Sequence, residues 1–219
     1  MKFDMHIHTN YSDAVETPES MVRAAIKKGL NGIAITDHDN IKGGLKAKEY
    51  AKAIDKTFKV IVGAEVSSLK GHIVALGIKE NVKPNMSVEE TVKRIHDLGG
   101  IAVAAHPFQA ISVKKGLGED AAKTDAIEVF NAGNILSSLN KKSAEFARDY
   151  NMSVSAGSDS HTTLSVGDAG IICDGDPIDC IMKKNVEIFG KRTSYFVMGY
   201  ATLLTLPKFL TLKRGLPSV

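Results

Sequence analysis

Gly32-Ile33-Ala34-Ile35-Thr36-Asp37-His38-Asp39 is an apolar run that opens into a histidine held between two carboxylates. A short apolar stretch ending in polar groups reads as a buried strand that delivers side chains at its C-terminal end. The pattern recurs along the chain. Glu65 follows the run Lys59–Gly63, His106 follows Ile101–Ala105, and Asp159 follows Ser153–Ala156. With Phe3–His8, His72–Ile78, Ala126–Phe130 and Ala169–Cys173, these runs predict a mostly parallel, wound α/β architecture. Such folds gather their sites past the C-terminal ends of the strands. Helices are expected between them. Pro18–Lys28 starts after Thr17 with proline at its first position, and Val88–Leu98 starts after Ser87 with Glu90 placed for a capping box. Further helices are expected over about 42–55, 136–149 and 178–184.

Nine side chains in this framework are of metal-ligating type: His6, His8, Asp13, His38, Glu65, His72, His106, Asp159 and His161. Six of the seven histidines belong to the set. His6 and His8 lie two apart on one strand and so share a face. Glu65 ends an otherwise apolar stretch, where an unpaired carboxylate would cost several kcal/mol and a metal would answer that cost. Gly157-Ser158-Asp159-Ser160-His161 puts two ligands on a loop whose backbone can approach ions closely. Taken singly, each piece has a bland reading as a turn, a cap or a core histidine. Together they exceed what one ion can use, which predicts a cluster of ions and hydrolytic chemistry. His96, inside the helix Val88–Leu98, stands outside the set and reads as a surface residue complementing the helix dipole.

The 219 residues fit one domain spanning 1–219, with 195–219 as a C-terminal helical closure. Cys173 and Cys180 are too few for a disulfide framework, and no basic-then-apolar leader precedes Asp4. A cytoplasmic protein with free thiols is expected. No segment reaches the ~18 consecutive apolar residues of a membrane span. The net charge of +3 is concentrated in residues 188–219, which carry Lys191, Arg192, Lys208, Lys213 and Arg214 and no acid. The body before them is near neutral and does not advertise a large nucleic-acid surface.

In their order and spacing, the blocks Asp4-Met5-His6-Ile7-His8-Thr9 with Ser12-Asp13, Thr36-Asp37-His38-Asp39, Ala105-His106-Pro107 and Gly157-Ser158-Asp159-Ser160-His161 resemble the PHP (polymerase and histidinol phosphatase) family. Gly63-Ala64-Glu65 and Gly71-His72 fall between them in the family's order. The resemblance covers most of the chain and is strongest to the small, free-standing members, whose recurrent segments are matched by Asn40-Ile41-Lys42-Gly43-Gly44 and Ile127-Glu128-Val129-Phe130-Asn131. It implies a distorted seven-stranded β/α barrel of PHP type with a trinuclear site. By position, His6, His8, Glu65 and Asp159 would hold one ion, Asp13, His38 and His161 a second, and Glu65, His72 and His106 a third. Two to three divalent ions, Mn, Zn or Fe, would be the cofactors.

The same resemblance implies a metal-dependent phosphoesterase that attacks phosphorus with a hydroxide bridging the ions. Its substrates would be phosphate esters of nucleotides or short oligonucleotides. A histidinol-phosphate phosphatase or other small-metabolite monoesterase is the alternative, and a non-catalytic RNA-binding subunit with this fold is a third. His161, Asp159 and His38 are the expected catalytic residues, with His161 or a metal-held water protonating the leaving oxygen. Asp4, Asp37 and Asp39 are expected to orient the ligands, Asp39 alternatively as a helix cap. Arg192, Lys42, Lys114 and Lys115 lie in loop-like stretches from which they could reach a substrate phosphate, and Gly43-Gly44 could cradle one. The partner is thus a phosphorylated small molecule or a short nucleic acid, with no obligate protein partner evident.

Overall fold

The structure, a computed structural model, describes residues 1–109 and 116–213, the last seven of these as helix backbone only. Among the described residues, nine strands form one sheet: β1 (Lys2–Ile7), β2 (Gly32–Ile35), β3 (Lys59–Ser67), β4 (His72–Leu76), β5 (Ile101–Ala104), β6 (Ala126–Asn131), β7 (Ser153–Gly157), β8 (Ala169–Ile172) and β9 (Glu187–Gly190). The order is β7-β6-β5-β4-β3-β2-β1-β8-β9. The helices are α1 (Pro18–Lys27), α2 (Lys42–Ile54), α3 (Val88–Asp97), α4 (Ser137–Asp149), α5 (Pro177–Met182) and α6 (Tyr195–Lys213), and Gly118–Lys123 makes a short 3-10 helix.

The first seven strands curl into a nearly closed barrel. Past its end, β7 meets β1 through two backbone bonds, Asp159 N–H to His6 O and His8 N–H to Ser160 O, both 2.9 Å. The first half of that same edge of β1 is taken instead by β8, antiparallel, at Lys2 and Phe3. The expected seven-stranded ring is therefore present, with β8 and β9 added outside it.

The sheet is mixed rather than mostly parallel. β4 runs antiparallel to both β3 and β5. The reason is chain length: only residues 68–71 separate Ser67 from His72, enough for a hairpin but far short of the dozen or so residues a parallel crossover needs. This reversal brings the start of β4, and so His72, to the same end of the barrel as the C-terminal ends of its neighbours. Glu65 accordingly lies inside β3 and not beyond it.

Side-chain alternation along β3 separates two environments. Ala64 and Val66 pack outward with Val92 and Ile95 of α3, whereas Ile61 joins Phe3, Val74, Val103 and Ala156 inside the barrel. Glu65 shares the inward parity of Ile61. The interior is thus apolar at one end and polar at the other, with Ile181 of α5 in the apolar cluster. Local signals fix the helices: Thr17 and Ser20 cap α1 reciprocally, as Ser87 and Glu90 cap α3. His96 of α3 does more than complement a dipole, since its Nε2 lies 2.8 Å from Asp125 Oδ2.

Asp4 sits buried where the edge of β1 forks between β7 and β8. Its Oδ1 accepts from Ser158 N–H (2.9 Å) and His6 N–H (3.3 Å), and its Oδ2 from Gly167 N–H (2.8 Å). Burial pushes its pKa up to about 6, against these donors, which favour the charged form. Asp4→Ala would leave two buried donors and one half-buried donor without acceptors, at about 1–3 kcal/mol for each buried one. We expect urea denaturation to show a loss of about 3 kcal/mol or more, and a loss under 1 kcal/mol would refute this role.

Cys173 and Cys180 are free and buried. Burial, with Cys180 alongside, pushes the Cys173 thiol up to about 12. Its reactive thiolate is therefore scarce at pH 8, and iodoacetamide should label it only on unfolding.

Candidate metal centre

All nine candidate ligands meet at the polar end of the barrel, around Glu65. This carboxylate is 1% exposed. Its Oε1 lies 2.8 Å from His72 Nδ1 and 2.9 Å from His106 Nε2. Its Oε2 lies 3.2 Å from His8 Nε2 and 3.4 Å from both His6 Nε2 and His38 Nδ1. Asp159 Oδ1 stands 3.3 Å from His8 Nε2 and 3.7 Å from His6 Nε2. Asp13 spans the far side, with Oδ2 3.1 Å from His161 Nε2 and 3.6 Å from His38 Nε2, and Oδ1 3.4 Å from His8 Nδ1.

The backbone bends to make this convergence. Pairing between β1 and β2 slips between Asp4 and Ile7, after which His6 and His8 point into the cup while Ile7 packs outward with Met21 and Ala47. Asp39, His106 and Asp159 hold positive φ of 52°, 29° and 55°. Left-handed backbone at non-glycine residues is uncommon and costs of order 1–3 kcal/mol each; here it turns three chain segments sharply as they leave their strands.

The donor set fits cations. His6 Nε2 and His8 Nε2 face each other at 3.1 Å, and the buried Nδ1 atoms of His8, His38 and His106 make no well-formed hydrogen bond, the first two having only a carboxylate oxygen at 3.4 Å. Buried polar nitrogens are normally paired, so these are lone pairs or protons in need of a partner. Among the described residues, three groups bring ligand atoms within 4.8 Å of one another and could hold an ion: His6, His8 and Asp159; His8, Asp13 and His38; and His38, Glu65 and His72. They overlap the three expected sets but share His8 and His38 between neighbours.

Electrostatics points the same way. Burial opposes ionisation of Glu65, yet the imidazoles of His72, His38 and His6 outweigh it and hold the carboxyl well below its usual range. Asp13 and Asp159 are lowered likewise by His161, His6 and His8. In turn, burial opposes protonation of His6 and His8, while Glu128 and Asp159 raise His6, and Asp13 and Asp159 raise His8, well above the ordinary histidine value. Three ionised carboxylates thus draw positive charge into a space lined by imidazoles. Protons supply it when cations do not.

The three expected orienting aspartates hold backbone N–H groups and hydroxyls rather than imidazole. Asp37 accepts from Thr9 N–H (2.6 Å), Thr9 Oγ1 (2.7 Å) and Ser12 Oγ (2.9 Å), fixing the loop that carries Asp13. Asp39 Oδ1 accepts from Ser67 N–H at 2.7 Å, and α2 has Ile41 at its cap position. Asp4 holds the fork described above. Gly43 is not a phosphate cradle: a Cβ there would overlap Asp37 Oδ2, so glycine lets α2 pack against the Asp37–Thr9 pair.

Glu128 is the residue the sequence reading missed. It is buried, its Oε1 lies 2.9 Å from His6 Nδ1, and its Oε2 accepts from His106 N–H (2.8 Å) and Asn131 Nδ2 (3.0 Å). Asn131 Nδ2 reaches Asp159 Oδ2 at 3.2 Å as well. The signal was available, since Glu128 is a lone carboxylate inside the apolar strand Ala126–Phe130, the argument already applied to Glu65.

Of the four expected phosphate-binding cations, Arg192 donates from Nη1 to Ile135 O (2.8 Å) and lies over the Tyr195 ring, and Lys42 is exposed at the start of α2. Lys114 and Lys115 lie outside the described residues.

Comparison with known proteins agrees with this geometry. The PHP domain family matches residues 4–106, and the PHP-associated family matches residues 137–180. An uncharacterized protein of Methanocaldococcus jannaschii is 38% identical over 145 residues, 60% of this chain and 82% of that protein. The 5'-3' exoribonuclease Rnm of Escherichia coli is 35% identical over 80 residues, 35% of this chain but only 27% of the nuclease. Among solved structures, a two-domain protein from Bacteroides vulgatus containing a predicted PHP-like metal-dependent phosphoesterase superposes with a TM-score of 0.72 at 18% identity, over 87% of this chain and 64% of that one. A putative metal-dependent phosphoesterase from Bifidobacterium adolescentis superposes at 0.63, also at 18% identity, over 92% and 96%. The barrel closed through Ser160, the histidines gathered on Glu65 and these matches lead to one assignment: the chain belongs to the PHP family.

Proposed function

We propose that this protein is a hydrolase of phosphoric ester bonds, a metal-dependent phosphoesterase formed by a single domain over residues 1–219. The observation that carries the reading is the convergence of His6, His8, Asp13, His38, Glu65, His72, His106, Asp159 and His161 on one cup. These nine residues would hold two to three divalent cations of the Mn, Zn or Fe type, with Glu65 reaching the most partners. Such ions, when bound, make water acidic enough to attack near neutral pH and draw charge from phosphoryl oxygens.

The chain's own groups supply the rest. Glu128 and Asn131 fix His6, His106 and Asp159 in place. His161 Nδ1 stands 3.0 Å from Asp159 O, so an N–H there donates to that carbonyl and leaves Nε2 facing Asp13 at the rim. Where that Nε2 carries a proton instead of a cation, His161 can protonate a departing alkoxide; where it holds a cation, the proton comes from water. No helix among the described residues is long and apolar enough to cross a membrane, and the two free thiols suit a cytoplasmic setting.

Between the two substrate readings, nucleotide or oligonucleotide esters and small-molecule monoesters, the cavity beside the cup favours the second. No lysine or arginine lines it among the described residues, and tracking a nucleic-acid backbone needs such cations. A subunit lacking catalysis would have no use for so complete a ligand set.

The test is turnover of a phosphomonoester panel by the Mn-loaded protein and by His38→Ala. We expect the variant to lose about a hundredfold or more in kcat, with lower metal content. Equal turnover would remove the mechanism.

A further inference from the structure

We infer that the cavity beside the metal centre receives the organic part of a phosphate monoester whose alcohol is apolar, an aryl or short alkyl group; this rests on the phosphoesterase reading above. The cavity holds about 360 Å³, within the usual range for small-molecule sites. Asp13, Asp159 and His161 stand at its metal end. Its other walls include Ser165 and Thr193, Ile135 and Tyr195, and the inner face of α6, where Val197, Met198, Ala201 and Thr205 recur at helical spacing and are half-buried. A phosphate at the cup would therefore project its ester group against apolar side chains.

The polar groups in these walls are already engaged. Thr202 Oγ1 donates to Met198 O at 2.9 Å, and Thr205 Oγ1 to Thr202 O at 3.4 Å. Thr193 Oγ1 donates to Asp168 Oδ2 at 2.9 Å, and Ser165 Oγ to Thr162 O at 3.4 Å. A hydroxyl-rich alcohol would find few free donors. Arg192, the cation nearest by sequence, is held by Ile135 O and the Tyr195 ring. A second phosphate held in the cavity beyond the cup would meet no lysine or arginine among the described lining residues, which disfavours bisphosphates and oligonucleotides here.

The reaction is simple hydrolysis. The P–O bond to the alcohol breaks, a P–O bond to water oxygen forms, and one water proton ends on the alcohol while the other goes to phosphate or buffer. No oxidant or co-substrate enters.

The test uses hexylphosphonate, phenylphosphonate and methylphosphonate, whose C–P bonds are not hydrolysed, titrated calorimetrically into the Mn-loaded full chain. A parallel turnover assay uses hexyl phosphate, phenyl phosphate, glycerol 3-phosphate and adenosine 3',5'-bisphosphate. We expect the hexyl and phenyl compounds to bind about tenfold or more tighter than methylphosphonate, and their esters to lead in kcat/KM by a similar factor. Ala201→Trp, which fills the cavity from α6, should erase that difference while metal content and melting temperature stay unchanged. Equal binding of methyl- and hexylphosphonate, or preference for the bisphosphate, would overturn the inference while leaving a phosphoesterase in place. Chain-length-dependent binding without hydrolysis of any ester would uphold the cavity and overturn the phosphoesterase reading instead.

Discussion

Glu65→Ala is expected to strip the protein of tightly bound divalent cation and to lower kcat/KM by about a thousandfold or more. Five imidazoles, those of His6, His8, His38, His72 and His106, have a Glu65 oxygen within 3.4 Å. No other carboxylate in the cup reaches as many. Removing it leaves the two ends of the cluster unconnected and takes away the charge that offsets several buried, protonation-prone rings. Breaking a buried ion pair by deleting one partner typically costs about 3–5 kcal/mol. The metal-free variant should therefore also melt below the metal-free wild type. Elemental analysis after dialysis, single-substrate kinetics and calorimetry of the apo proteins check the three parts separately. Wild-type metal content in Glu65→Ala would show that the cation sits elsewhere.

Gly157→Ala is the second large effect, and it acts through backbone. A Cβ at position 157 would overlap the His6 Cβ and come within 2.7 Å of His6 N. Neither atom belongs to a flexible side chain, so β1 and β7 must part at the seam where the barrel closes. The same shift would pull His6 and Asp159 away from Glu65. We expect a loss of about 3 kcal/mol or more in stability together with a fall in metal affinity. Gly199→Ala, in the exposed part of α6 where an added Cβ meets nothing within 4 Å, is the control and should be neutral or slightly stabilising. Matching behaviour of the two variants would contradict the account of the seam.

Much of this was legible in the sequence because the signals are local. Thr17-Pro18 and Ser87…Glu90 mark helix starts by chemistry that lies within four residues, and both helices begin where those marks stand. The apolar runs of β2, β5 and β7 end next to the ligands they present, so strand and site were read together. What escaped depends on partners far along the chain. β4 reads as a strand but its direction follows from the brevity of residues 68–71, a property of the connection rather than of the strand. β9 has only two half-buried residues and is defined by its pairing with β8. Asp4, Asp37 and Asp39 stand beside ligands in sequence, which suggested that they orient imidazoles; their oxygens instead accept from hydroxyls and from backbone N–H groups as far as 28 to 163 residues away. Glu128 was passed over because it lies within a strand and next to no other ligand, although 122 residues separate it from the His6 ring it holds.

The most direct measurement is anomalous X-ray diffraction at the manganese edge from crystals of the Mn-loaded protein. Two or three peaks should fall among His6, His8, Asp13, His38, Glu65, His72, His106, Asp159 and His161, each within about 2.0–2.4 Å of imidazole nitrogen or carboxylate oxygen. A cup assembled as described but without a peak, in crystals whose protein retains stoichiometric manganese, would contradict the account.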